Sequence, residues 1–232
     1  MVTLEPENPR GIVVFGAGAW GDPDRYRPFL EDLRSSGFIV LAPRSERFDH
    51  RTVTTEQLIA RPASMLAALS ARAPHDLPIT AMGHSIGGWA ALCLAGAVPY
   101  TRDGQPLPVP RERRVCRLVL FAPTVGWFQA PGALTQVSAP MKVFVGDSDT
   151  VTPPATAEVL QQAPVTVDVQ LCRYAGHFDF MNTPPPGKPS DPKLDRTAFL
   201  RRLATETVAF ASALQPHRRP ADAPSPPGTG TA

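Results

Sequence analysis

The sequence predicts an α/β fold, a mostly parallel sheet of about six strands with helices on both faces. Three observations carry the prediction. Short unbroken apolar runs recur along the chain, such as Ile12-Val13-Val14-Phe15 and Ile39-Val40-Leu41. Strands that read this way are buried on both faces. Segments with helical spacing stand between the runs, and glycine or proline punctuates the junctions. With 232 residues, 43% of them hydrophobic and 19% charged, the chain is long enough for one domain with a sizeable core.

Taken in order, residues 10–15 form the first predicted strand, closed by the glycines of residues 16–21. Residues 24–36 set Tyr26, Phe29, Leu30 and Leu33 on one helical face, and Gly37 ends that helix. Residues 38–42 form the second strand, stopped by Pro43, and residues 44–55 are polar and irregular. Residues 57–72 have helical spacing that Pro62 interrupts, so a fresh start is expected there. Residues 79–82 are the third strand, and a small-residue helical run follows over 88–96. Residues 79–98 match a membrane span in length, but glycines and Ser85 divide them into strand and helix, so no span is expected.

Residues 99–114, rich in proline and charge, read as a surface insertion or partial lid. Residues 115–121 are the fourth strand, 130–140 a loop with one helical turn, and 141–145 the fifth strand. A helix over 155–163 leads to the sixth strand within 165–174. A proline-rich loop over 183–192 precedes a closing helix over 196–214, with Phe199, Leu200, Leu203, Val208 and Phe210 as its apolar positions. The domain is expected to span 1–215, and residues 216–232 read as a disordered tail.

The net charge of +2 points to neither a nucleic-acid partner nor an anionic membrane, and the arginines within 111–114 and 201–202 read as solvated. Cys93, Cys116 and Cys172 lack C-x-x-C spacing, which suits reduced thiols in a cytoplasmic protein. The N-terminus has no basic region followed by an apolar core, so no signal peptide is expected. No histidines stand at ligand spacing, so no metal is expected. Gly16, Gly18 and Gly21 match G-x-G-x-x-G literally. A nucleotide site would want an acidic residue where Ala42-Pro43-Arg44 stands, so no cofactor is expected. His50, His75 and His217 lie in predicted loops or the tail and show no partner.

In parallel sheets, reactive residues gather beyond the carboxyl ends of strands. After the third strand stands Gly83-His84-Ser85-Ile86-Gly87, a G-x-S-x-G turn that lifts a serine hydroxyl onto a helix tip. Gly146-Asp147-Ser148-Asp149 follows the fifth strand and Ala175-Gly176-His177 the sixth. A serine needs a base to become a nucleophile, and His177 is the candidate. A carboxylate must orient that imidazole, with Asp149 first and Asp147 second. Asp179, too close in sequence to His177, is expected on the surface, and His84 is expected to be structural. A developing oxyanion needs two backbone N–H groups, one from Ile86 and one from the loop 16–21. Trp20, Trp127 and Phe178 are candidates to line an acyl pocket. Read alone, Ser85 could instead cap its helix.

On these motifs the chain resembles the α/β-hydrolase superfamily from about residue 11 to 210. Within it, the chain is similar to bacterial dienelactone-hydrolase-like and platelet-activating-factor-acetylhydrolase-like esterases. The matching residues are the loop after the first strand, Gly37-Phe38 through Ala42-Pro43, the Ser85 turn, Gly146 to Asp149, and Ala175-Gly176-His177-Phe178. The resemblance implies a serine hydrolase cleaving carboxylic esters, a small-molecule substrate, through an acyl-enzyme, without a cofactor. It ranks Asp149 above Asp147 and puts the second oxyanion donor at Ala19. An acyltransferase or thioesterase would use the same residues, and a non-catalytic binding protein on this scaffold is a third reading. Ala17 stands where the family usually has His or Pro, and Trp20 where a small residue is usual, which would narrow the acyl pocket. The early antiparallel strands of larger relatives are expected to be absent.

Overall fold

The computed structural model describes residues 1–49, 52–74 and 76–213. His50, His75, His217 and the 216–232 tail lie outside the described residues. Among the described residues, seven strands form one sheet: β1 (Val2–Leu4), β2 (Gly11–Gly16), β3 (Phe38–Ala42), β4 (Ile79–His84), β5 (Val115–Phe121), β6 (Met141–Gly146) and β7 (Val167–Cys172). Their order is β1-β3-β2-β4-β5-β6-β7. All neighbours run parallel except β1, which pairs antiparallel with β3 through Val2 and Ala42, Thr3 and Leu41, and Leu4 and Val40. The sheet therefore has one strand more than the six expected, and one early antiparallel strand is present after all. Three residues are too few to display a period. Val2 and Leu4 become a strand by pairing with β3 and burying their side chains.

Side-chain alternation along the inner strands builds two cores. Ile12 and Val14 of β2, Leu118 and Leu120 of β5, and Met141 and Val143 of β6 face one side. There they meet Leu58, Met65 and Leu69 of α2 (Thr55–Arg72) and Trp89 and Leu92 of α3 (Ile86–Leu94). Val13, Phe15, Val119, Phe121 and Phe144 face the other side. They meet Phe29, Leu30 and Leu33 of α1 (Arg27–Ser35) and Phe199 and Leu203 of α4 (Arg196–Ser212). Double-sided burial explains why these strands read as unbroken apolar runs.

Three helical expectations change. The helix around Pro62 does not restart but runs through it. A reciprocal capping box fixes its start upstream: Thr54 Oγ1 accepts from Gln57 N–H, and Gln57 Oε1 accepts from Thr54 N–H. Burial of Leu58, Pro62, Met65 and Leu69 then carries it past the proline. The helix expected from residue 24 divides into a 3₁₀ turn, Pro23–Tyr26, and α1. Pro28, lacking an N–H, takes the first turn of α1, where that donor has no helical acceptor. The segment Pro154–Gln162 is 3₁₀ rather than α-helical. Among the described residues, no helix is long and apolar enough to cross a membrane.

Residues 99–114 follow α3 on the surface. Leu107 is buried, Glu112 N–H donates to Leu94 O, and Arg111 donates to the side chain and carbonyl of Gln136.

Candidate active site

Ser85 joins β4 to α3 with φ 56° and ψ −122°, a left-handed conformation that costs a non-glycine residue about 1–3 kcal/mol. The surroundings hold it there. Its N–H donates to Phe121 O at 2.9 Å, and its carbonyl accepts from Gly88, Trp89 and Thr124 N–H at 3.0–3.2 Å. Close approach of α3 to β2 and β4 explains two neighbouring glycines. A Cβ on Gly83 would stand 2.2 Å from Gly87 O, and one on Gly87 would stand 1.9 Å from Gly16 O. The Ser85 side chain makes no capping bond to its helix. Its Oγ instead lies 3.0 Å from His177 Nε2.

His177 opens a 3₁₀ turn (His177–Phe180) beyond β7, and Asp149 lies beyond β6. His177 Nδ1 is 2.9 Å from Asp149 Oδ2. The other Asp149 oxygen accepts from the N–H groups of Val151 and Thr152, each at 2.8 Å. Burial pushes the Asp149 carboxyl up. The hydrogen bond and charge of His177, with the Thr152 bonds, outweigh that and hold it below the ordinary aspartate value. Asp147 faces elsewhere, accepting from Tyr174 N–H at 2.6 Å and from Ser148 Oγ.

Thr152 joins this set without having been singled out in the sequence. Its Oγ1 lies 2.8 Å from Asp149 Oδ2, 3.1 Å from His177 Nδ1 and 3.1 Å from Ala122 O. The available signal was an aspartate followed three residues later by threonine, a spacing at which side chain and backbone close a local turn.

The expectation that Asp179 lies on the surface is overturned. It is buried, accepting from Gly176 N–H at 2.8 Å and from Ser190 Oγ, with Arg196 Nε 3.7 Å away. The 3₁₀ turn brings the Asp179 carboxylate back onto the Gly176 N–H, so it is spent on its own loop.

His84 is buried between two partners. Its Nε2–H donates to His177 O at 2.9 Å, which leaves Nδ1 to accept from Tyr26 O–H at 2.7 Å. The Tyr26 oxygen in turn accepts from Gly18 N–H at 3.3 Å. Burial, with the His177 charge beside it, pulls His84 down to about 3, so it is neutral. This fits its expected structural role.

These residues open onto a cleft of ≈ 720 Å³, walled by Trp20, Phe48, Trp127, Val151, Phe178 and Met181 around Ser85. The three aromatic residues expected from the sequence all line it. Phe48, Val151 and Met181 come from loops with no periodicity to mark them. Two guanidiniums lie over the Trp20 ring, Arg25 at 4.4 Å and Arg47 at 4.1 Å from its centre. Ala19 and Ile86 line the cleft too, and neither amide donates a hydrogen bond among the described residues. The Ile86 amide sits in the first turn of α3, where the helix dipole favours negative charge. Among the described residues, no group of His, Cys, Asp and Glu could hold a metal ion.

No family model and no curated protein sequence matches this chain. Solved structures do. A thermophilic esterase from the planctomycete Thermogutta terrifontis aligns at 18% identity and TM-score 0.63, over 94% of this chain and 89% of that one. Thermogutta terrifontis esterase 2 phosphorylated by paraoxon aligns at 19% and 0.62, over 93% and 90%. A monoacylglycerol lipase from Paleococcus ferrophilus aligns at 17% and 0.61, over 90% and 97%. At such identities the likeness speaks for the fold: this chain has the α/β-hydrolase fold.

Proposed function

We propose that this protein is a serine hydrolase that cleaves small carboxylic esters through an acyl-enzyme. The observation that carries the reading is one continuous contact line opening onto a mainly apolar cleft. It runs from Ser85 Oγ to His177 Nε2 at 3.0 Å, and from His177 Nδ1 to Asp149 Oδ2 at 2.9 Å. His177 removes the Ser85 proton as Oγ attacks the ester carbonyl. Asp149 holds the imidazole in the tautomer with its free nitrogen toward Ser85 and stabilises the imidazolium that forms. The Ala19 and Ile86 amides take the negative charge that develops on the carbonyl oxygen. His177 then gives its proton to the leaving alcohol, and water repeats the cycle on the acyl-serine. The three side chains move every proton and the two backbone amides take the developing charge, so the cycle needs no cofactor.

The aromatic and aliphatic walls suit an apolar acyl or alcohol group, and Trp20 shapes one side of the space. The structural neighbours named an esterase and a monoacylglycerol lipase support the same chemistry. The motif likeness to dienelactone-hydrolase-like and platelet-activating-factor-acetylhydrolase-like esterases belongs to this proposal. So does a cytoplasmic setting. Turnover of p-nitrophenyl esters of increasing chain length tests the reading. Ser85→Ala is expected to lose at least ~10⁴-fold in kcat with its fold intact. Equal rates for the two proteins would refute the serine mechanism.

A further inference from the structure

Arg61 lies in the second turn of α2, is 3% exposed, and meets no carboxylate among the described residues. Its guanidinium instead binds four backbone carbonyls. Nη1 donates to Ala17 O at 3.1 Å and Gly18 O at 3.0 Å, and Nη2 donates to Ala19 O at 3.1 Å and Glu46 O at 3.0 Å. The face of the group covers the Phe48 ring at 4.5 Å, and Nε has no partner. Desolvation pulls its pKa down to about 10, so it remains a cation at neutral pH. Burying a cation without a counter-ion is costly, and an apolar side chain would fill the space more cheaply. Three of the four carbonyls belong to consecutive residues in the loop after β2, the loop that presents the Ala19 amide.

The geometry of one peptide unit gives this arrangement a consequence. The Gly18–Ala19 bond is trans, and in a planar trans peptide the carbonyl and the N–H point in opposite directions. Arg61 holds Gly18 O, so the Ala19 N–H of the same peptide unit points away from the guanidinium, and Ala19 lines the cleft. Gly21 N–H, at 2.8 Å from the same oxygen, assists. Position 18 is tight: a Cβ there would stand 3.1 Å from His84 Nδ1 and 3.3 Å from Tyr26 Oη, so those side chains would have to give by a few tenths of an ångström. Glycine is also the residue that resists a peptide flip least. A flipped unit would put a carbonyl oxygen where the oxyanion must sit.

We infer that Arg61 is a positioning residue for the oxyanion hole, its planar fork holding the 17–19 carbonyls so that the Ala19 amide faces the reacting carbonyl. This rests on the ester-hydrolase reading of the Ser85 site. A lysine would keep the charge but could not span the three carbonyls in one plane.

The test compares wild type with Arg61→Met and Arg61→Lys on p-nitrophenyl butyrate, with rates expressed per folded molecule from near-UV circular dichroism. One oxyanion donor is worth about 10²–10³ in kcat. Both variants are therefore expected to lose about 10²-fold in kcat, with KM moving less than about 3-fold. Affinity for an alkylboronic acid, which mimics the tetrahedral intermediate, should fall in step. If Arg61→Met does not fold, Arg61→Lys carries the comparison. Wild-type kcat and boronate affinity per folded molecule in either variant would overturn this inference and leave the ester-hydrolase reading standing. A wild type that neither turns over esters nor reacts at Ser85 would overturn both.

Discussion

Asp147 and Asp149 share one loop, yet only the second reaches His177. On the proposed mechanism, Asp149→Asn drops kcat by about 10⁴-fold, because the imidazole is then held in the wrong tautomer. Asp147→Asn leaves kcat within a few-fold of wild type, and steady-state kinetics on one ester compares the two. The residue types at these strand ends were readable in the sequence, because a serine, an aspartate and a histidine stand in that order after the third, fifth and sixth predicted strands. The choice between the two aspartates needed the resemblance, since a loop of four residues has no period to say which side chain turns inward. The burial of Asp179 has no sequence signal for the same reason. Thr152 escaped because threonine carries no chemistry until its neighbours are in place.

His84 gives a second prediction at this scale. Its value in the fold is about 3, against 6.5 for a free side chain. Above pH 6.5 both folded and unfolded chains hold it neutral, and it costs nothing. Below 6.5 the unfolded chain takes up a proton that the folded chain refuses, so stability falls as pH drops from 6.5 toward 3. One proton gives a slope of at most about 1.4 kcal/mol per pH unit. Thermal melts of His84→Gln between pH 6.5 and 4 should show a shallower decline than wild type. An identical slope would mean that His84 is protonated in the fold.

At the scale of elements, the turn between β4 and α3 stores strain that its neighbours sustain. Ser85→Gly should melt above Ser85→Ala by the equivalent of about 1 kcal/mol, since glycine occupies positive φ freely and alanine does not. Gly87→Ala should lower stability by about 1–3 kcal/mol or more, because its Cβ would press on the Gly16 carbonyl and push α3 off β2. Urea unfolding of the three variants measures both effects. This element was the most legible part of the chain, since an apolar run, two obligatory glycines and a small-residue helix announce strand, turn and helix together. Other elements depend on tertiary partners. β1 exists through β3, and α2 outlasts Pro62 through its cap and its buried face. The 154–162 segment has helical spacing, yet it coils more tightly than an α-helix.

At the scale of the whole molecule, the parallel sheet brings residues 85, 149 and 177 together. β4, β6 and β7 end on the same side, so loops distant in sequence meet above one edge of the sheet. The alternating strand and helix pattern made that convergence foreseeable. The cleft walls were not, because Phe48, Val151 and Met181 lie in irregular segments that only packing assigns. Arg61 ties α2 to the loop after β2, and His84 and Tyr26 tie that same loop to the His177 backbone. Both sides of the proposed site are thus anchored to the sheet. The most direct test of the account is to mix the protein with a p-nitrophenyl ester, quench with acid within one turnover, and map the protein by peptide mass spectrometry. The account predicts one acyl group on Ser85, absent from Ser85→Ala. Ester turnover with no adduct, or with the acyl group on another residue, would contradict it.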